Sequence, residues 1–237
     1  AAKELIRKAA EVGADVVREG VEYSVASRAI AVGGQLLTIQ GLHDTYDEIF
    51  LPLHGKHQAA NAASALVAVE AFFGDQPLDI EAVRAGFAAV TSPGRCEVVH
   101  RDPTVILDAA HNPHGAKALA QTLKSEFNFD EIVAVVGVFG DKDALGILQE
   151  LEPIVDHVIV TQSSSSRAMS SSDLEKLATS VFGNDRVFEV KDLDTALDRA
   201  VGDATRPLSE DTVGIIVTGS VVTVGEARTY LRKKFAK

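Results

Sequence analysis

The chain has 237 residues, 46% of them hydrophobic but only 5% aromatic and none tryptophan, so its length supports one large domain or two small ones around an aliphatic core. Its 34 acidic against 23 basic residues leave a formal charge of −11, which disfavours general binding to nucleic acid or to anionic membrane, and an anionic substrate then needs a local basic pocket. The single cysteine, Cys96, excludes an intramolecular disulfide and a cysteine-based zinc site and fits a reducing cytoplasm, and no stretch reads as a transmembrane helix or a signal peptide.

In chain order, residues 1–13 read as an amphipathic helix ended by Gly13. The chain opens inside that pattern without a methionine, as expected of a piece cut from something longer. Residues 15–17 read as a short strand. From Glu22 to Leu53 the hydrophobic period is two, which predicts a hairpin of 25–32 and 35–40 about Gly33-Gly34, then a strand at 48–53. Residues 57–73 form a helix that is apolar nearly all round and is therefore expected to be buried. His57, Gln58 and Asn61 share a face in its first turns, either satisfying local backbone groups or meeting a ligand. Gly55-Lys56 is not a P-loop, because the upstream glycine and the following Ser/Thr are missing. A loop at 74–77 and a helix at 79–90 follow. Pro93-Gly94 then breaks the chain, which sets domains at 1–91 and 92–237. Arg95 beside that break is either a surface charge or a group that reaches a phosphate.

Beyond Cys96, strands at 98–99, 104–107, 132–138, 157–161, 187–190 and 213–218 alternate with helices at 113–127, 143–151, 172–182, 193–204 and 224–235. This rhythm predicts a mainly parallel sheet covered on both faces. Ser172-Asp173-Leu174-Glu175 fits a capping box. The serine-rich stretch 162–172, which contains Arg167, reads as a flexible loop or a substrate contact. Three strand-to-helix junctions carry polar chemistry. Asp108 and His111 follow the 104–107 strand, with Asn112-Pro113 as a helix start. Glycines and Lys142 follow the 132–138 strand, and Thr218-Gly219-Ser220 follows the 213–218 strand. Each junction alone is also consistent with capped helices and solvated loops. All three fall at the edge where open α/β sheets bind ligands.

Gly55-Lys56-His57-Gln58-Ala59-Ala60-Asn61-Ala62-Ala63, Pro93-Gly94-Arg95, Leu107-Asp108-Ala109-Ala110-His111-Asn112-Pro113, Phe139-Gly140-Asp141-Lys142-Asp143 and Thr218-Gly219-Ser220 occur in that order. The series closely resembles the folylpolyglutamate synthase family, often bifunctional with dihydrofolate synthase, of the Mur ligase superfamily. The first motif is shared across the superfamily, and the later ones favour the folate branch over the cell-wall branch. The resemblance implies an α/β fold, with a Rossmann-like C-terminal domain (92–237) on a mainly parallel sheet. Before it comes the C-terminal part of a Mur-ligase-type ATPase domain (1–91). It implies that the P-loop and the Mg2+ ligands belong to a segment missing from this sequence. By the same resemblance Asn61, Arg95 and Asp108 contact ATP, and His111 and Ser220 lie near the incoming glutamate or the transferring phosphate. Arg95, His111 and Lys142 are the catalytic candidates. Gln58, Ser92 and Ala109 depart from the usual family residues, which bears on the branch rather than on the superfamily.

The implied reaction is ATP-driven amide formation through an acyl phosphate, adding L-glutamate to a folate or to dihydropteroate. The implied partners are those small molecules and Mg2+, with no nucleic acid or membrane, for a cytoplasmic monomer. The fragment alone is expected to be inactive. A ligase acting on a cell-wall precursor and a non-catalytic nucleotide-binding module remain alternatives. A Rossmann oxidoreductase is disfavoured, since no Gly-x-Gly-x-x-Gly follows a strand.

Overall fold

The computed structural model describes residues 2–74, 76–205 and 212–236, so the expected loop at 74–77 and helix at 1–13 each lie partly outside the described residues, at Asp75 and Ala1. The chain divides into two compact units, Ala1–Pro52 with Lys56–Thr91, and Leu53–Gly55 with Ser92–Lys237.

In the first unit the period-two pattern folds as an antiparallel sheet, β1 (Ser24–Ala31), β2 (Gly34–Gln40) and β3 (Thr45–Leu51), in that spatial order. Gly33 turns the hairpin at φ +82°, a left-handed conformation that costs glycine nothing. The helices are α1 (Ala2–Val12), α2 (Lys56–Phe73) and α3 (Ile80–Ala88), the last capped by Asp79. The fully buried Glu70 on α2 is satisfied by the Leu42 amide (2.7 Å) and the Tyr46 hydroxyl (2.8 Å), as a carboxylate out of water requires.

Two expectations for this unit need correction. No strand forms at 15–17; Val16 and Val17 are exposed and pair with no strand among the described residues. Nor is α2 buried all round. The described residues cover the face that carries Ala59, Ala63, Leu66 and Val67, and they leave Val69, Phe72 and Phe73 exposed.

The second unit is built on β4 (Glu97–Arg101), β5 (Thr104–Leu107), β6 (Glu131–Val136), β7 (His157–Gln162), β8 (Val187–Asp192) and β9 (Val213–Thr218). Their spatial order is β4-β5-β9-β6-β7-β8, antiparallel at β4–β5 and parallel elsewhere. The helices are α4 (Pro113–Glu126), α5 (Ala144–Leu151), α6 (Ser171–Phe182), α7 (Leu193–Ala204) and α8 (Val221–Phe235). Strand side chains alternate between faces. Ile106, Ala134 and Ile216 pack with α4, α5 and α6, while Val105, Val135, Ile215 and Val217 pack with α7 and α8. A parallel sheet buried on both faces explains the near-continuous Val/Ile runs.

The α6 cap is Ser170, whose Oγ accepts from the Asp173 amide, so the expected capping box at Ser172 sits two residues too late. α8 starts at Val221 with Ser220 as its cap, three residues before the expected start. The serine-rich stretch is pinned to the β6 loop. Met169 N–H donates to Val138 O (2.9 Å), and Phe139 bridges to Ala168. Among the described residues no helix is long and apolar enough to cross a membrane.

Candidate functional site

β5 and β6 flank β9 and lead into helices on the α4–α6 face, whereas β9 leads into α8 on the other face. Neighbouring strands whose connections part to opposite faces leave a crevice at their carboxyl ends, where doubly wound sheets take ligands. The three loops there are tied together. Asp108 N–H donates to Val217 O (3.0 Å), Gly219 N–H to Ala110 O (3.0 Å) and Gly137 N–H to Thr218 O (3.1 Å). Gly219 stands at φ +109°, and a Cβ there would lie 2.6 Å from Gly137 O. Gly219→Ala is therefore expected to cost about 2–3 kcal/mol, read as a lowered denaturant midpoint with an unchanged slope.

Asp108 is 8% exposed. Its Oδ1 accepts from the Ala110 amide and its Oδ2 from the Cys96 amide, both at 2.9 Å. Burial pushes its carboxyl above the usual range, against the pull of those two amides and of the Arg95 charge. The carboxylate thus clasps two backbone segments. The segment it reaches back to is the Pro93–Cys96 turn, which also binds Ala109 N–H through Gly94 O (2.8 Å). Gly94 (φ +69°) and Cys96 (φ +48°) flank Arg95 in left-handed conformations. Cys96 is not a glycine, so the turn holds strain that the Asp108 clasp must offset. Glu97 adds a second clasp, accepting from the Gly94 amide (2.9 Å) and from Arg228 Nε (2.9 Å). The Arg95 side chain is exposed and makes no ion pair among the described residues.

His111 is half-buried, with Nδ1 2.9 Å from Ala109 O. A carbonyl only accepts, so Nδ1 carries the proton, and Nε2 of the neutral ring is an acceptor. Asn112 caps α4 through the Gly115 amide (2.8 Å).

Ser220 is 1% exposed. Thr223 Oγ1 donates to Gly137 O (2.9 Å) and lies 2.8 Å from Ser220 Oγ, so the Ser220 hydroxyl donates to Thr223. Ser220 Oγ also accepts from the Thr223 amide (3.0 Å). This hydroxyl is engaged inside the protein. What Ser220 presents outward is the start of the helix that it caps.

Lys142 lies 3.4 Å from Asp141, which also takes both oxygens to Arg167 (2.9 and 3.0 Å), itself stacked on Phe139. No hydrogen bond among the described residues ties Lys142 to the 108–111 loop. Asn61 belongs to the first unit; it is exposed on α2 and donates to Gln58 Oε1 at 3.3 Å. Within the second unit, therefore, Arg95, Asp108, His111, Lys142 and Ser220 sit on loops bonded to one another, with the Lys142 side chain turned to Asp141. Glu97, Arg228 and Thr223 were not legible as site residues. Cys96 carried no warning either, since a cysteine gives no sequence signal of a left-handed turn. Among the described residues no three His, Cys, Asp or Glu side chains gather to hold a metal ion, so no ligand to a divalent cation is assigned.

Residues 94–221 match the family model "Mur ligase, glutamate ligase domain". The chain is 50% identical over 236 residues to the dihydrofolate synthase/folylpolyglutamate synthase of Mycobacterium tuberculosis, covering 95% of this chain and 48% of that protein. It superposes with TM-score 0.92 and 53% identity on the M. tuberculosis folylpolyglutamate synthase complexed with ADP, covering 96% of this chain and 51% of that one. A bifunctional folylpolyglutamate synthase/dihydrofolate synthase with Mn, AMPPNP and L-glutamate bound aligns at TM-score 0.77 and 30% identity, over 97% of this chain and 51% of that one. The chain spans about half the length of the curated relatives it matches.

Proposed function

Because the chain belongs to the Mur ligase family through its glutamate ligase domain, we propose that the full-length protein is an ATP-dependent ligase that joins L-glutamate to a folate. The observation that carries this reading is the 50% identity, along 95% of the chain, to a relative named for that activity. The proposed acceptors are dihydropteroate and folylglutamates. The proposed co-substrate is ATP with a divalent cation, taken to be Mg2+. The first unit is read as the C-terminal part of the ATP-binding domain and the second as the glutamate-binding domain. The reading carries with it a monomeric enzyme of the cytoplasm, independent of nucleic acid and membrane.

A carboxylate at neutral pH is a poor electrophile. In the proposed reaction the terminal carboxylate of the folate attacks the γ-phosphate of ATP, releasing ADP and forming an acyl phosphate. The amine of glutamate then attacks that carbonyl, the amide forms and phosphate leaves. Catalysis of this kind is mostly positioning and charge neutralisation. Arg95, held on a clasped turn and without a carboxylate partner among the described residues, is suited to the phosphate charge. His111 Nε2 is suited to accept a hydrogen bond or proton from the incoming amine. Asn61 and Asp108 are assigned to the nucleotide, Asp108 chiefly through the backbone it holds. The α8 start capped by Ser220 is assigned to a carboxylate or phosphate of the substrates, and Lys142 to the same anions from farther along the edge.

The test is ADP release by the full-length protein in a coupled assay with ATP, glutamate and either dihydropteroate or a folate. Turnover with either acceptor is expected, and none from residues 1–237 alone. Turnover with a nucleotide-sugar cell-wall precursor and with neither folate would overturn the reading.

A further inference from the structure

The serine-rich segment between β7 and α6, residues 163–170, carries an arginine to which the chemistry above gives no task. Arg167 stands on the ligand edge of the sheet. The β6 loop is bonded to the β9 loop on one side, through Gly137 N–H and Thr218 O. On its other side Gly140 N–H donates to Arg167 O (2.9 Å) and Met169 N–H to Val138 O (2.9 Å). Arg167 therefore belongs to a braced backbone within the second unit.

Its guanidinium is fixed as well. Cζ lies 4.7 Å from the centroid of the Phe139 ring, a cation–π stack. Nη2 alone donates to both Asp141 oxygens, at 2.9 and 3.0 Å. A guanidinium has five N–H donors. Those on Nε and Nη1 have no protein partner among the described residues. Lys142 Nζ lies 3.4 Å from the same carboxylate. Two cations thus share one anion, and all three side chains reach solvent.

Asp141 differs from the other aspartates at the carboxyl ends of these strands. Asp108 accepts from the Cys96 and Ala110 amides, Asp143 from the Gly146 amide and Asp192 from the Thr195 amide. Asp141 accepts from no backbone amide among the described residues, and its partners there are Arg167 and Lys142. The Arg167 hydrogen bond, with the Lys142 charge behind it, holds its carboxyl below the usual range, so it is ionised at neutral pH. An exposed ion pair adds little stability, so Asp141 is exchanged for another carboxylate at small cost. The Phe139 stack keeps the guanidinium in place during the exchange.

We propose that Arg167, with Lys142 beside it, binds a carboxylate of the substrates, and that Asp141 is the counter-ion it holds until that carboxylate arrives. The planar fork of Arg167 suits a carboxylate, and its free donors are the first that such a group meets. The proposal rests on the ligase reading and deepens it. The carboxylate comes either from the incoming L-glutamate or from the folate acceptor, and separate KM values tell them apart.

The experiment is steady-state kinetics of the full-length protein, with AMPPNP affinity by titration calorimetry. Arg167→Ala is expected to raise the KM for one of the two carboxylate substrates about tenfold. AMPPNP affinity is expected to stay within about twofold. Asp141→Asn removes the competing charge and is expected to lower the same KM about threefold. A change for L-glutamate places the carboxylate on the amino acid, and a change for the folate places it on the acceptor; either supports the proposal.

A pair that only braced the two loops would be broken by both substitutions, and both would shift KM in the same direction. That result, or an unchanged KM for both substrates, overturns the proposal. Should Arg167→Ala fail to fold, Arg167→Lys takes its place; it keeps the charge, loses the fork and is expected to raise the KM about threefold, and no rise overturns the proposal. Wild-type protein that turns over no folate would remove the proposed function. The opposed shifts of the two variants are then read on L-glutamate binding by calorimetry, and their absence overturns the proposal on its own.

Discussion

Arg95→Ala in the full-length protein is expected to lower kcat by about 10²–10³, the range for losing one fixed positive donor from a centre of developing phosphate charge. Thermal stability is expected to stay within about 0.5 kcal/mol of wild type, because the side chain is exposed and makes no ion pair among the described residues. The contrast follows from how the turn is built. The neighbours Gly94 and Cys96 carry the backbone contacts, through Ala109, Glu97 and Asp108. Arg95 contributes a charge to the surface and little to the scaffold. Arg95→Lys is expected to recover only part of the rate, since an ammonium lacks the guanidinium fork that meets two phosphate oxygens at once. Steady-state kinetics with a melting curve on each variant check both halves, and wild-type turnover in folded Arg95→Ala would remove Arg95 from the chemistry.

Asp108→Ala is expected to act in the opposite manner, costing about 3–5 kcal/mol of stability as well as activity. The substitution leaves the Cys96 and Ala110 amides without an acceptor in a place water hardly reaches. It also releases the strain at Cys96, so the Arg95 turn loses its geometry. Asp108→Asn is the informative companion. An amide side chain supplies one oxygen where two donors point, so one of the two N–H groups faces another donor. It is expected to lose about 1–3 kcal/mol, less than alanine, and urea denaturation of both variants measures the order. The carboxyl of Asp108 is raised by burial, so its proton is bound more tightly in the folded state than in the unfolded chain. The penalty therefore grows as pH rises from the unfolded value towards the folded one and is constant above it. Asp108→Asn removes that slope, and a stability-against-pH curve in the acid range reads it.

Much of the second unit was legible because a parallel sheet covered on both faces leaves a strong trace. Its strands must be apolar runs, and its helices must start at capping residues. Asn112-Pro113 marked α4 correctly for that reason. The misplaced starts of α6 and α8 share one cause. Several hydroxyl residues stand in a row at 170–172 and a Thr-Gly-Ser at 218–220, and any of them can cap a helix. Which one does so is decided by strand length and tertiary contact. The expected strand at 15–17 rested on local pattern alone and found no partner, and strands are stabilised by pairing rather than by propensity.

Legibility of the site was uneven for physical reasons too. Asp108, His111 and Ser220 could be picked out because the chain order puts polar residues directly after apolar strands. The direction of each side chain could not be read. Ser220 turned inward to cap α8, and Lys142 turned to Asp141. Glu97 and Glu126 were invisible because each acts on a backbone amide distant from any motif. Glu126 is 71 residues from the Gly55 amide that it holds, a separation over which hydrophobic periodicity carries no information.

The strand at the centre of the sheet, β9, comes from residues 213–218, whereas its neighbours β5 and β6 are complete by residue 136. As the protein leaves the ribosome, both neighbours therefore wait through roughly eighty further residues with open hydrogen-bonding edges. Synthesis at the usual pace makes that wait several seconds long. A nascent chain in this state offers two sticky apolar edges to any other chain nearby. A premature stop before Val213 would leave the sheet in two halves with nothing to join them. The sheet of this unit is consequently complete only once β9 has emerged, and its yield in the cell depends on whatever shields those edges until then.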